Sequence, residues 1–320
     1  MKRLAVLILN YNNREYLEAC LDALGKSLRS VSHDIWFLDN ASTDGSAAWV
    51  REHYPDVRVL ENPENKGFAH GNNRGLERIG IDGDSDSGPL EHEFVLLLNP
   101  DTEVEKDALP RMLSYMERHP QAGVVGPRMI RPDGSLDTGC KRSEPTPWRS
   151  LAHMTGLRRF FPHSPIWAGY SCGYVKDDEP AFVDSVMGAC QLMRAEALQE
   201  VGLLDEDTFF MYGEDLDHCV RFRRKGWQVV YLPEARVLHH KGAATRKDSG
   251  RMILEFHRAM WTFHRKHYAA DTPWLGNVLV HMASWGLGWA KWTLNSLLPP
   301  NRRHVGSAHI IIDVDSDRHH

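Results

Sequence analysis

Phe94-Val95-Leu96-Leu97-Leu98-Asn99-Pro100-Asp101 runs five apolar residues straight into a polar turn. A short continuous apolar run of this kind reads as a strand covered on both faces, as in a parallel sheet. Leu4–Leu9, which runs into Asn10-Tyr11-Asn12, has the same form, as does Ile35-Trp36-Phe37-Leu38, which ends at Asp39-Asn40. Val57–Leu60 supplies a further strand. Between these runs the period changes. Leu17, Cys20, Leu21, Leu24 and Leu28 repeat at helical spacing, and Ser46–Tyr54 and His70–Ile79 read as helices, the first with Asp44 or Ser46 near its start. Leu109, Met112, Leu113 and Met116 mark an amphipathic helix after the fourth strand. A β-α-β-α order predicts an α/β fold with a mostly parallel, right-handed central sheet flanked by helices. Ligands of such sheets bind beyond the carboxyl ends of the strands, where the polar clusters of this chain lie.

Composition narrows the function classes. The 320 residues carry a formal net charge of -5, so there is no global attraction to nucleic acid or anionic lipid, and no nucleic-acid partner is expected. The five cysteines (Cys20, Cys140, Cys172, Cys190, Cys219) are scattered, with no C-x-x-C pair, which argues against a disulfide framework or a zinc ribbon and for a reducing, cytoplasmic setting. Leu4–Leu9 is too short for a signal segment. Asp82–Glu93 reads as a polar surface loop, and residues 131–180, rich in Pro, Gly, Arg and aromatics, as a functional loop region. Trp274–Leu298 has the length of a membrane span, but Asn277, His281, Lys291 and Asn295 interrupt it. Its tryptophans suggest an interfacial helix, the alternative being a helix docked on the domain. Residues 299–320 read as a disordered tail.

The strand ends carry the chemistry. A dinucleotide-binding fold needs G-x-G-x-x-G after its first strand, whereas Asn10-Tyr11-Asn12-Asn13-Arg14 has no glycine, and a Walker A loop is absent too. A carboxylate-held divalent metal, Mg2+ or Mn2+, is then the expected means of neutralising phosphates, with Asp101 as its ligand. Taken alone, Asn99-Pro100-Asp101-Thr102 is also an ordinary turn. Asp39 can accept from the imide N–H of a uracil or thymine, with Tyr11 stacking on that base. Asn65-Lys66-Gly67-Phe68-Ala69-His70-Gly71-Asn72-Asn73 offers amides for sugar or ribose and glycines for close backbone approach. Phe209-Phe210-Met211-Tyr212-Gly213-Glu214-Asp215-Leu216-Asp217 opens a helix with three acids, which the dipole alone would favour, but Asp215 also suits a general base. His239, at a strand end, is placed to complete the metal shell or contact the diphosphate, with Lys241 and Arg246 adding charge. His257, His264 and His267 lie near one helical face and read as a solvated or headgroup-facing surface.

Together these stretches resemble the family 2 glycosyltransferases of GT-A fold, most of all their rhamnosyltransferase-like branch. The resemblance rests on Leu7–Asn12, Asp39–Ser46, Asn65–Asn73, Asn99-Pro100-Asp101, Asp184–Cys190, Phe209–Asp217 with Arg221, and His239–Gly242. It covers roughly residues 3–268, implying a glycosyltransferase domain at 1–268, with 131–180 on the acceptor side, and a C-terminal helical segment at 269–298. It implies inverting transfer of a sugar from a dTDP- or UDP-sugar, dTDP-L-rhamnose first, to a cell-surface glycan or lipid-linked acceptor at the inner face of the plasma membrane. The implied roles are Asp215 as base, with Glu214, Asp217 and Arg221 supporting it. Asn10, Tyr11, Asp39, Asn65, Gly67, Asn73 and Asn99 would serve the donor, and Asp101 and His239 the metal. Asn99 stands where the family's Asp-x-Asp motif has its first Asp. Two alternatives remain open: a nucleotide-sugar-processing or nucleotidyl-transfer enzyme, which should carry a Gly-rich basic loop that this chain lacks, and a non-catalytic, membrane-peripheral glycan-binding protein, which would not need Asp101 and Asp215 together.

Overall fold

The computed structural model describes residues 2–84, 88–146, 149, 164, 170–240 and 249–298. Strand β1 (Lys2–Asn10) pairs in parallel with β2 (His33–Asp39) and β4 (His92–Leu98), and β2 pairs in parallel with β3 (Arg58–Glu61). Helices α1 (Leu17–Ser27), α2 (Ser46–His53) and α3 (Phe68–Arg78) connect these strands, as the alternating periodicity predicts. Leu4 to Ile8 are fully buried, which is why that run shows no polar alternation.

The second half of the sheet is mixed. After β5 (Thr102–Val104), α4 (Ala108–Arg118) leads to β6 (Ala122–Ile130), followed by β7 (Ala181–Phe182) and β8 (Cys190–Arg194). Helices α5 (Ala195–Val201) and α6 (Glu214–Arg224) precede β9 (Gln228–His239). The sheet order is β3-β2-β1-β4-β8-β6-β9-β5, with β7 beside β9. Strand β8 runs antiparallel to both β4 and β6, while β6 and β9 are parallel. Inserting β8 antiparallel next to β4 brings its leading residues against the carboxyl end of β4, and the site is built on that reversal.

Helix α3 lies close on the sheet through glycines at i and i+4. A Cβ on Gly71 or Gly75 would meet a leucine methyl of β1 or β2 at 2.5 Å. Gly67 has a different constraint: its φ is +103°, and a Cβ there would lie 2.1 Å from the Phe210 carbonyl oxygen. This glycine lets two loops distant in sequence touch.

Helices α7 (Ser249–His267) and α8 (Trp274–Leu297) form an antiparallel pair after the sheet. A small core of Phe209, Leu216, Val220, Ala259 and Phe263 fastens α7 to α6. The three α7 histidines are turned inward, contrary to the surface expected from their basic neighbours. His257 is buried under Gly288 of α8, His264 bonds Asn277 at 2.7 Å, and His267 bonds Asp217 at 2.8 Å. Helical spacing set a common face, but that face is the one α6 and α8 cover. All five cysteines are buried and free. No helix among the described residues is long and apolar enough to cross a membrane. Lys241, Arg246 and residues 299–320 lie outside the described residues.

Candidate active site

The ends of β1 and β2 form the first wall. Asn10 Nδ2 donates to Asp39 Oδ1 at 3.3 Å and Ser42 Oγ at 3.1 Å, and the Ser42 N–H donates to Asp39 Oδ2 at 2.9 Å. Asn12 (φ +55°) and Ala41 (φ +61°) hold left-handed backbone here, a costly conformation for non-glycine residues that clusters at functional sites. Asn12 Oδ1 accepts from the Thr43 N–H at 2.8 Å, which ties the two turns together. Asp44 organises the start of α2 by accepting from the Ser46 and Arg14 N–H groups. Above this frame Tyr11 stands 41% exposed, an aromatic face open for stacking.

An amide chain leads to the next loop. Asn40 Nδ2 donates to Asn65 Oδ1 at 2.8 Å and to the Gly67 carbonyl at 3.2 Å, and Asn65 Oδ1 also accepts from the Gly67 N–H. The Phe68 N–H donates to the Phe210 carbonyl at 2.7 Å, which joins this loop to the segment ahead of α6. Two residues expected at the donor site make contacts within the fold. Gly67 is glycine because Phe210 approaches it. Asn73 is buried, with Nδ2 on the Leu204 carbonyl (2.9 Å) and Glu206 (2.7 Å) and Oδ1 accepting from the Leu204 N–H (3.0 Å), so its amide is committed to the fold. Asn65 shapes its own loop.

Asp101 follows β4 and is mostly buried. Thr102 pairs with His239 across β5 and β9, which places His239 Nε2 3.5 Å from Asp101 Oδ1. On its other side His239 Nδ1 lies 3.7 Å from Asp137 Oδ2, a neighbour the sequence did not indicate. Burial opposes charge on this imidazole, but bonding to and attraction by Asp101 and Asp137 outweigh it and raise its pKa to about 9. The two carboxylates thus favour a positive charge on this imidazole. Among the described residues no group of three or more His, Cys, Asp or Glu side chains is set to hold a metal alone. Asp137 is committed to the Gly139 N–H. The donor set suits a hard cation bound by one carboxylate, Asp101, with the remaining positions filled by substrate phosphates.

Asp215 lies on the first turn of α6. The Gly188 N–H donates to Oδ2 at 2.9 Å and the Leu216 N–H to Oδ1 at 2.8 Å. Arg142 grips the same carboxylate, with Nη2 at 2.7 Å from Oδ2 and Nη1 at 3.5 Å from Oδ1. Arg142 is the main residue that sequence reasoning missed. It sits in the aperiodic 131–180 stretch, where nothing local marks it. Its neighbours Ser185 and the Val186 carbonyl also accept from Nη2. The next residue after Gly188, Ala189, accepts from the Asn99 N–H at 2.9 Å. Consecutive residues ahead of β8 thereby hold the Asp101 turn and the Asp215 carboxylate side by side.

The supporting acids divide in role. Glu214 is buried, and burial, with Asp215 next to it, pushes its pKa up to about 8; its Oε2 has no hydrogen-bond partner among the described residues. Asp217 faces away from the cleft and collects Arg221 Nε (2.9 Å), His267 Nε2 (2.8 Å) and Lys266 Nζ (2.6 Å). Arg221 also donates to the carbonyls of Val201 and Leu203. Asp217 and Arg221 are therefore struts that fix α6.

The Glycosyl transferase family 2 model matches residues 5–202. The N-acetylglucosaminyl-diphospho-decaprenol L-rhamnosyltransferase of Mycobacterium tuberculosis is 32% identical over 276 residues, covering 85% of this chain and 88% of that protein. Rhamnosyltransferase WbbL of Escherichia coli is 23% identical, over 73% of this chain and 82% of its own. Among solved structures, the mannosyltransferase PcManGT from Pyrobaculum calidifontis in complex with GDP-Man and Mn2+ superposes with a TM-score of 0.56 at 16% identity, covering 94% of this chain and 77% of that one. The fold is thus that of the GT-A glycosyltransferases. With strand-end acids arranged as above and a family match that spans most of the sheet, the chain belongs to glycosyl transferase family 2 and is a glycosyltransferase.

Proposed function

We propose that this glycosyltransferase moves L-rhamnose, with inversion, from a dTDP-linked donor to a sugar hydroxyl of a lipid-diphosphate-linked acceptor in cell-envelope polysaccharide synthesis. The observation that carries the reading is the juxtaposition of Asp101 and Asp215 through Ala189 and Gly188. One group can bind a diphosphate through a cation while the other takes a proton a short distance away. The names of the mycobacterial and E. coli relatives support rhamnose, and the mycobacterial name supports the lipid-linked acceptor.

In this reading Tyr11 stacks on the thymine, and Asp39 and Asn10 hold the turn beneath it. Asp101, with His239 beside it, would hold Mg2+ or Mn2+, and the Mn2+ of the solved mannosyltransferase complex supports a divalent ion. When bound, that ion supplies charge stabilisation to the diphosphate leaving group. Asp215 accepts the proton of the acceptor hydroxyl as its oxygen bonds to the anomeric carbon. The bond from that carbon to the diphosphate oxygen breaks, and its electron pair leaves on the diphosphate. Of the four contacts to Asp215, Arg142 Nη1 at 3.5 Å is the loosest. The test is a melting-temperature panel of nucleotide sugars with and without Mg2+ or Mn2+. A donor that binds the folded state raises the midpoint by mass action. Asp101→Ala is expected to lose the metal-dependent part of that rise; a shift equal to the parent's would remove Asp101 from the metal site.

Helix α8 supports a membrane-surface location. Its buried positions are Ser284, Gly288, Lys291 and Asn295, whereas Leu275, Leu279, Met282, Trp289 and Leu297 are exposed. This is the reverse of the pattern for a helix packed on a soluble domain, and an exposed apolar stripe with tryptophans suits a bilayer interface. The double substitution Leu279→Glu and Met282→Glu is expected to abolish co-flotation with vesicles while leaving the donor-induced melting shift intact. Undiminished flotation would show that α8 does not hold the membrane.

A further inference from the structure

Residues 142–144 form a strap along α6, and its backbone is pinned by groups other than Asp215. The Arg142 N–H donates to the Ser185 carbonyl at 2.9 Å, and the Asp184 and Ser185 N–H groups donate to the Arg142 carbonyl at 3.1 and 2.9 Å. The Ser143 N–H reaches the Tyr170 carbonyl at 2.8 Å, and the Glu144 N–H reaches Asp184 Oδ2 at 2.8 Å. From the last turn of α6, Arg223 bridges Glu144 at 3.0 Å and Asp184 at 2.9 Å. Tyr268, just past α7, donates to the same Glu144 carboxylate.

From this backbone the Arg142 side chain, 13% exposed, turns to the first turn of α6. Its Nη2 donates to the Val186 carbonyl at 2.7 Å and Ser185 Oγ at 3.2 Å as well as to Asp215 Oδ2 at 2.7 Å. The fold therefore aims the guanidinium before Asp215 is counted. A buried ion pair is weak evidence for a role in stability, because desolvating both charges offsets much of their attraction. What a planar fork adds is orientation: it sets the plane of the carboxylate it grips, which separate N–H groups do not. The Gly188 N–H and Leu216 N–H supply the other short contacts to Asp215. A carboxylate has about four acceptor positions, so this grip leaves capacity for a hydroxyl.

We propose that Arg142 is a positioning residue for the transfer reaction: held by the strap, it fixes the plane of the Asp215 carboxylate toward the acceptor hydroxyl and touches neither substrate. The inference rests on Asp215 being the base of the proposed function. Arg223, which ties the same strap to the far end of α6, supplies the contrast, since it meets Glu144 and Asp184 and not the base.

The test is a double-mutant cycle on the full chain, with dTDP-L-rhamnose and a farnesyl-diphosphate-linked N-acetylglucosamine as substrates. Arg142→Ala should lower kcat at least about thirtyfold, since misplacing a reacting group by about 1 Å costs on the order of a hundredfold. Both KM values should stay within about threefold of the parent's, as for a group that acts only in the transition state. Arg223→Ala should keep the parent's kcat. In the Asp215→Asn background, Arg142→Ala should change the remaining rate by less than about threefold, because a residue that acts through the base has nothing left to act on. An unchanged kcat in Arg142→Ala, a loss carried by the acceptor's KM, an equal loss in Arg223→Ala, or losses that multiply in the double variant each overturn the assignment. Where Arg142→Ala does not fold, Arg142→Lys takes its place. It keeps a charge without the fork, so its kcat should fall at least about tenfold, and a parental kcat overturns the proposal. Full transfer by Asp215→Asn would instead fail the base of the proposed function, whereas full transfer by Arg142→Ala beside an inactive Asp215→Asn fails this inference alone. The melting midpoints of the same variants need no substrate. The double variant should lose less than the sum of the single losses. Losses that add would show that the two side chains do not hold each other, and overturn the proposal even if the parent transfers to no acceptor.

Discussion

Asp215→Asn is expected to lower the transfer rate by about a hundred- to ten-thousandfold, the span a positioned general base contributes. An amide of the same shape cannot take the acceptor's proton. It also turns one of its two positions into an N–H donor, among groups that only donate: Arg142, the Gly188 N–H and the Leu216 N–H. The proposed donor wall is built from other elements, the ends of β1 and β2 and the Asp101 turn. The variant should therefore keep the parent's donor-induced melting shift, within about threefold in affinity or 0.65 kcal/mol. Rate and shift together distinguish a lost base from a collapsed site. Full transfer by Asp215→Asn would move the base elsewhere, and Glu214, one residue away, would be the next group to test.

The second large effect concerns stability. Asp217 is fully buried and meets three basic side chains, two of them from α7. Removing one partner of a buried ionic cluster costs about 3–5 kcal/mol, because the others stay behind uncompensated. Asp217→Asn should lose about that much by urea unfolding at pH 7. The pH dependence has a definite sign. Burial alone would raise this carboxyl's pKa, but the bonds from His267 and Lys266 and the Arg221 charge hold it well below the ordinary carboxylate range. An acid whose folded pKa lies below its unfolded value of 3.8 contributes stability that is fully present above that pH and is lost as pH falls below it. The gap between parent and variant should be full from about pH 5 upward and shrink toward acid, since the unfolded carboxylate titrates near pH 3.9. A gap that stays constant down to pH 3 would mean the cluster's charge does not stabilise the fold. Because the cluster anchors α7 to α6, its loss should also loosen the α7–α8 helix pair.

The positions of several candidate residues were legible in the sequence. Asn10, Asp39 and Asp101 stand at strand ends because apolar runs stop there, and a strand's end can be read from the run itself. Asp215 was legible because acids cluster on the first turn of a helix. The partners of these groups were not legible. Arg142 reaches Asp215 across 73 residues, and Asn73 reaches Leu204 across 131. No local pattern encodes such pairings. Asn73 and Gly67 have residue types that suit a sugar site, and their types are equally suited to the close loop contact they make.

The stretch Phe94–Asp101 determined, by sequence alone, that a doubly covered strand ends in a carboxylate at the mouth of a sheet. With the other strand ends it pointed to the fold class, because burial on both faces leaves a continuous apolar signature, while the family came from the resemblance of the polar motifs that follow those runs. Tertiary structure decided what that carboxylate faces. The reversed strand β8 brings Ala189 against Asn99 and Gly188 against Asp215, and β9 sets His239 beside Asp101. It also decided which way α8 turns. The periodicity of Trp274–Leu297 defines two faces, but only the packing against α7 shows that the polar face is the buried one and the apolar face the exposed one. Hydrophobic pattern specifies which residues share a side, while the neighbour that occupies that side is set by chain topology over long sequence separations.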